Sequence, residues 1–368
     1  MKILYITTIG GTMPFFRTFI EELIKDGHFV DIACNGLIMA VPDYFKEWGC
    51  NIYDISCTRF PFNIGNIKTI KEIKNIVSKN YYDIVHCHTP IASACTRIAC
   101  RDLRNAGTKV FYTAHGFHFY KGAPFPNWLL YYPIEKVLSK WTDVLITMNQ
   151  EDYQRAIAKF KAERIVYVPG VGFNMDKFAQ NYSEDEKKQV REKLEIGIND
   201  IMLLSVGELN KNKNHEIVIK ALAEMSDFNI HYCIAGEGEL KGKLASIAEK
   251  NKVKLHLLGY RRDIPLLLHT SDIFILPSLR EGLNVSLMEA IASKICVICS
   301  QIRGNIDLVE DKNFLFDPRC VKSVKRAISY SITNKDTNVI NDNYKKIHQF
   351  SKENVNHIMK KEYEESQR

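Results

Sequence analysis

The chain has 368 residues, 46% of them hydrophobic and 25% charged, with a formal net charge of +7. That length suggests two domains, and the apolar fraction is ample for two cores. No apolar run approaches the roughly 20 residues that span a bilayer, Met1 to Thr8 carry no signal-peptide cleavage site, and no zinc-finger, RNA-recognition or helix-turn-helix signature accompanies the mild basic excess, so spanning, exported and nucleic-acid-binding classes are set aside.

Strands are predicted at 2–7, 28–33, 50–54, 83–87, 109–113, 143–147 and 165–168. Amphipathic helical stretches lie between them at 14–26, 66–79, 90–105 and 127–140. The polar segment from Asn181 to Lys188 reads as a boundary that opens a helix. Strands then resume at 200–206, 230–235, 254–258, 272–276, 295–299 and 313–316. This alternation predicts an α/β protein of two Rossmann-like domains with parallel sheets, residues 1–180 and 181–349. From Cys320 to Arg368 the chain is helical and charged.

Gly10 and Gly11 follow the first strand, where glycine serves either a tight turn or a loop against a substrate. No G-x-G-x-x-G with an acidic residue about 20 positions on is present, which argues against a dinucleotide oxidoreductase. His86 and His88 end the strand at 83–87 and point the same way. They lack a third metal ligand, so a structural or acceptor-side role is the better reading. His115, and His118 beyond it, lie past the strand at 109–113. Glu208, Lys211 and Lys213 follow the strand at 200–206. Gly236 and Tyr260 end the next two.

Ten cysteines in a chain of this kind fit a reducing compartment. Cys34, Cys87, Cys95, Cys100 and Cys233 sit in apolar stretches as small hydrophobes. Cys296-x-x-Cys299 has metal-site spacing, but it lies inside an apolar run with no second pair and reads as buried strand.

The run Pro277-Ser278-Leu279-Arg280-Glu281-Gly282-Leu283-Asn284-Val285-Ser286-Leu287-Met288-Glu289 carries the most chemistry. The apolar strand Ile273 to Leu276 precedes it, and a helix follows. Glu281 therefore falls in a strand-to-helix turn at the carboxyl end of a sheet, where open α/β proteins bind ligands. Backbone N–H groups from Leu283 to Val285 offer an anion site at the helix start. Two carboxylates beside an anion site suit neutral hydroxyls, and a sugar nucleotide has both hydroxyls and phosphates.

This P-S-x-x-E-G turn with E-x7-E resembles the signature of retaining glycosyltransferases of family 4, which have the GT-B fold. The resemblance covers nearly the whole chain. It implies two Rossmann-like domains facing a central cleft, with a last helix, here 350–368, crossing back onto the first domain. It implies donor contacts from Gly10, Gly11, Gly236, Tyr260, Gly282, Leu283, Asn284, Val285, Glu289 and the 208–213 loop. His115 matches the family's active-site histidine, Glu281 its sugar-binding carboxylate and Lys213 its diphosphate-binding lysine, with His118 a second candidate histidine. Glu208 stands where many members carry an arginine, which puts a two-cation clamp in doubt unless Lys211 replaces it. The loop from Gln301 to Val309 also departs from the usual form and is given no role.

The resemblance implies a nucleoside diphosphate sugar, most commonly of uridine, as co-substrate and no cofactor. No Asp-x-Asp is present to hold a metal on the diphosphate, in keeping with a metal-independent reaction. The acceptor is expected to be a glycan or polyprenyl-diphosphate-linked glycan in capsule or exopolysaccharide synthesis. Arg59, His118 and Lys121 are the acceptor-side candidates. They sit in two basic aromatic segments, Arg59 to Phe62 with the lysines that follow, and Phe117 to Trp141. Lysine with aromatic residues suits an anionic headgroup zone, so peripheral association with the inner face of the cell membrane is expected, in the cytoplasm and without nucleic acid. The alternatives are a non-catalytic sugar-nucleotide-binding subunit of a synthase complex and a GT-B sugar-nucleotide epimerase.

Overall fold

The computed structural model describes residues 1–61, 63–334 and 337–367. Phe62 of the first aromatic segment, and Arg368 at the end of the expected last helix, lie outside them. The chain divides into two compact units, Met1–Gly172 with Lys352–Arg368, and Phe173–Ser351. The division falls before residue 180 because Phe173, Met175 and Phe178 already pack into the core of the second unit.

The first unit holds strands β1 (Lys2–Ile9), β2 (Phe29–Asn35), β3 (Ile52–Asp54), β4 (Ile84–His88), β5 (Lys109–Ala114), β6 (Val144–Thr147) and β7 (Arg164–Tyr167). They form one parallel sheet in the order β3-β2-β1-β4-β5-β6-β7. Both faces are covered, which is why these strands are mostly apolar, although β2 buries Asp31 and β4 buries His86 and His88. Helices Gly65–Asn80 and Pro90–Ala99 supply Ile73, Val77, Ala92 and Cys95 to one face. Helix Arg17–Lys25 and the last helix, Lys352–Glu365, supply Phe19, Ile20, Val355, Met359 and Tyr363 to the other.

The predicted helix at 14–26 starts differently. Gly10–Phe16 is a 3-10 helix containing Pro14, and the α-helix begins only at Arg17. At the head of that turn Gly10 packs tightly against the backbone of Met39, Ala40 and Val41. The helix expected at 90–105 ends at Ala99, and a separate 3-10 turn covers Leu103–Ala106.

The second unit holds β8 (Ile201–Val206), β9 (Ile230–Ala235), β10 (Lys254–Gly259), β11 (Ile273–Leu276), β12 (Cys296–Ser300) and β13 (Leu315–Phe316). Its parallel sheet runs β10-β9-β8-β11-β12-β13. A capping box opens the helix Glu184–Lys193: the Glu186 N–H donates to Ser183 Oγ, and the Ser183 N–H donates to the Glu186 carboxylate. Cys296 and Cys299 are buried on β12, three residues apart and so on opposite faces of the strand. In each sheet the strand order reverses direction once, between β1 and β4 and between β8 and β11.

Candidate active site

The reversal point of an open parallel sheet leaves a crevice beyond the carboxyl ends of its two central strands. In the second unit, the loop after β8 carries Lys213 and the loop after β11 carries Glu281. Lys213 Nζ donates to Glu281 Oε1 at 2.8 Å, with the two side chains 18% and 13% exposed. Residues 68 apart in sequence thus form one half-buried ion pair in the crevice.

The two loops are stitched together around that pair. Leu279 N–H donates to Asn212 O at 2.8 Å, and Asn212 Nδ2 donates to Arg280 O at 2.9 Å. Asn214, held at φ +56, donates from Nδ2 to Pro277 O and Pro318 O. Gly207 and Gly236 pass so closely that a Cβ on Gly236 would lie 1.9 Å from Gly207 O. Gly236 therefore has a packing reason to be glycine, apart from any ligand.

Beyond Glu281, Asn284 caps the helix Val285–Ala292, its side chain accepting from Leu287 N–H at 3.1 Å. The N–H groups of Leu283 and Val285 have no acceptor among the described residues and remain available to an anion. Glu289 lies one turn further on, and its side chain makes no hydrogen bond among the described residues. Desolvation raises its carboxyl to about 7, against a smaller opposing pull from Lys177.

Glu208 is exposed and accepts from Asn210 Nδ2 at 2.7 Å. Lys211 is also exposed and forms no ion pair among the described residues. A different cation approaches the turn. Arg303, 7% exposed, directs Nε at Glu281 O at 3.4 Å. The neighbouring Gly304 sits at φ +82, where a Cβ would lie 1.9 Å from Gly282 O. Sequence reasoning gave this loop no role. Its only signal was an arginine and a glycine together after a buried strand. Tyr260 is 74% exposed at the end of β10.

In the first unit the reversal lies between β1 and β4. Gly10 is buried, donates its N–H to Met39 O at 2.9 Å, and has no room for a Cβ against the backbone of Ala40 and Val41. A Cβ on Gly11 would meet the flexible Met39 side chain first, 1.8 Å from its sulfur. Of the two readings left open, a tight turn or a substrate loop, the first takes the form of a 3-10 helix, Gly10–Phe16, to which both glycines belong.

His86 is fixed by Thr113 Oγ1 at 2.7 Å and by the Tyr363 hydroxyl. His88 Nδ1 lies 3.2 Å from His115 Nε2. Desolvation lowers His115 to about 4, although the residue keeps accessible surface and Nδ1 has no partner among the described residues. His118 instead stacks on Tyr131, ring centroids 4.6 Å apart.

Two family models match the chain: Glycosyltransferase Family 4 over residues 9–171, and Glycosyl transferases group 1 over residues 186–352. EpsD of Bacillus subtilis (strain 168) is 36% identical over 320 residues, covering 84% of this chain and 81% of EpsD. The chain belongs to glycosyltransferase family 4. Another relative is the Escherichia coli UDP-Gal:alpha-D-GlcNAc-diphosphoundecaprenol alpha-1,3-galactosyltransferase, 31% identical over 296 residues, with 76% of this chain and 75% of that one covered. The crystal structure of Anabaena Alr3699/HepE in complex with UDP and glucose superposes with a TM-score of 0.77 at 18% identity, covering 99% and 100% of the two chains. The fold of this family 4 glycosyltransferase is GT-B.

The acceptor-side candidates of this family member are spread over the first unit. Arg59 is exposed before the helix Gly65–Asn80. Lys121 is exposed, and its backbone N–H is held by Glu151 at 2.7 Å. A groove of about 340 Å³ lies among the helices Gly65–Asn80, Pro90–Ala99 and Phe125–Leu138, lined by apolar groups including Ile64, Ile67, Ile98 and Ile134. Among the described residues, no helix is long and apolar enough to cross a membrane.

Proposed function

We propose that this chain moves a sugar, with retention at the anomeric carbon, from a UDP-sugar to a hydroxyl of a polyprenyl-diphosphate-linked glycan during surface polysaccharide synthesis. The observation that carries this reading is the Lys213–Glu281 pair at the reversal point between β8 and β11. A cation and a carboxylate held side by side match the two halves of such a donor, its diphosphate and its sugar hydroxyls. The name of the Escherichia coli relative supports both a uridine donor and a lipid-linked acceptor, and the UDP and glucose in the Anabaena structure support the former.

In this mechanism Lys213 and the N–H groups of Leu283 and Val285 neutralise the diphosphate as its negative charge grows. Glu281 accepts hydrogen bonds from the sugar hydroxyls, and Glu289 from those of the ribose. His115 hydrogen-bonds the transferred sugar. The acceptor hydroxyl attacks from the face that the diphosphate leaves, and a phosphate oxygen takes its proton, so no protein base is required.

The first unit takes the acceptor, at an anionic membrane surface. Exposed Phe60, Ile64, Ile67, Phe125 and Leu129 would enter the headgroup zone, with Lys68, Lys71 and Lys74 beside them.

The test is thermal unfolding with UDP, GDP, ADP and the common UDP-sugars, each with and without EDTA. Uridine compounds are expected to raise the transition, unchanged by EDTA. No shift with any of them overturns the donor reading. Incubating the preferred UDP-sugar with lipid-linked glycan from bacterial membranes then reads transfer. Donor binding without transfer would point to a non-catalytic subunit.

A further inference from the structure

We propose that His88 is a positioning residue for His115: it holds the His115 imidazole by Nε2 and leaves Nδ1–H as the group offered to the transferred sugar. This rests on the reading of His115 given above.

The placement follows from the sheet. β4 ends at His88, and His88 pairs with Thr113 of β5, two residues before His115. The two rings meet at the carboxyl ends of neighbouring strands, Nδ1 of His88 to Nε2 of His115, at 3.2 Å. His88 is 2% exposed and has little freedom to turn. Phe16 stacks on it at 4.1 Å, Tyr5 at 5.5 Å, and His86 lies 4.2 Å away.

Desolvation holds both imidazoles well below the ordinary 6.5, so both are neutral near pH 7. A contact between two neutral imidazoles contains one proton. If His115 donated it, His88 would carry its own proton on Nε2. That atom is buried and has no partner among the described residues. A buried N–H without an acceptor is tolerated less well than a bare acceptor. His88 therefore donates from Nδ1, and the proton of His115 sits on Nδ1. That nitrogen has no partner among the described residues, and the residue keeps accessible surface. A hydrogen bond from the second imidazole thus selects the tautomer of the first, as outer partners do for metal-bound histidines.

The experiment begins with nitrogen-15 NMR of the histidine side chains in the full chain at pH 7.5, with His115→Ala used to assign the signal. The expected result is His115 in the Nδ1–H form. An Nε2–H form overturns the proposal and needs no other variant.

Two variants then read the consequence, through the slow acceptor-free hydrolysis of the UDP-sugar that gives the largest thermal shift. His88→Phe keeps the ring stack and removes the donor. It is expected to lower kcat by about 10- to 100-fold while leaving KM and the UDP-induced thermal shift unchanged, with His115 then present as mixed tautomers. His88→Asn puts an amide N–H near the place of Nδ1 and should recover most of the loss. Wild-type kcat in His88→Phe, or an equal fall in both variants, overturns the positioning role. If His115→Ala hydrolyses donor at the wild-type rate, the reading of His115 itself fails, whichever tautomer the NMR shows.

Discussion

At the scale of single residues, the carboxylates Glu281 and Glu289 stand in different surroundings and should fail differently. Glu281 accepts a hydrogen bond from Lys213 Nζ at 2.8 Å. Glu281→Gln keeps the shape and loses the charge, and transfer should fall by about 10²- to 10³-fold, the scale of one lost electrostatic contact in an active site. Steady-state kinetics on the preferred UDP-sugar would show this; an unchanged rate refutes the assignment. Glu289 has its carboxyl raised to about 7 by desolvation. In its proposed role it would accept ribose hydroxyls best when ionised, so UDP affinity should weaken as pH falls from 8 to 6. Glu289→Gln should bind more weakly and flatten that dependence in titration calorimetry. Stability moves the other way. The folded protein holds this proton more tightly than the unfolded chain, so the group's contribution falls as pH rises from 4.5 toward about 7. Glu289→Gln should therefore raise the melting temperature more at pH 8 than at pH 5. The glutamates were visible in the sequence because they lie eight positions apart across one turn. The lysine–glutamate contact was not, since it depends on β8 and β11 being neighbours, which no local pattern records. Arg303 was invisible for the same reason: it reaches Glu281 O from another loop.

At the scale of elements, the buried strands were legible as mostly apolar runs, but their order in each sheet was not, since no local pattern records which strands become neighbours. The start of the first helix was not, because the 3-10 turn answers to the packing of Gly10 against Met39, Ala40 and Val41. Nor did composition reveal the tie between helices Pro90–Ala99 and Phe125–Leu138. Arg97 and Glu135 pair there at 2.7 Å, 1% and 8% exposed, with the Tyr112 hydroxyl donating to the same carboxylate. Glu135→Ala would leave a buried guanidinium without its counter-charge. Urea unfolding should show a loss of about 3–5 kcal/mol, whereas Glu163→Ala, at a 61% exposed ion pair, should cost about 0–1 kcal/mol. Gly304→Ala tests the packing beneath the Glu281 turn. The added methyl meets Gly282 O in a left-handed backbone, so donor affinity should fall at least tenfold by calorimetry.

At the scale of the molecule, the first unit is discontinuous in sequence. Its sheet is finished early in the chain, but one face is covered by Lys352–Glu365. Tyr363 is fully buried there, with its hydroxyl 3.0 Å from that of Tyr5 and in contact with His86. Tyr363→Ala should destabilise the first unit by about 3–5 kcal/mol, the usual range for an aromatic lost from a core. Denaturation monitored at a label in the first unit would measure it. The same helix decides when folding can finish on the ribosome. Residues 1–172 are made first, yet Phe19 and Tyr5 receive their final partner only when residue 363 emerges. At about 5–20 residues per second, that is a wait of about 10–40 seconds. The second unit, continuous from Phe173 to Ser351, can close during that wait. The half made first is thus the half completed last, and in a nascent chain it is the one exposed longest to chaperones and proteases.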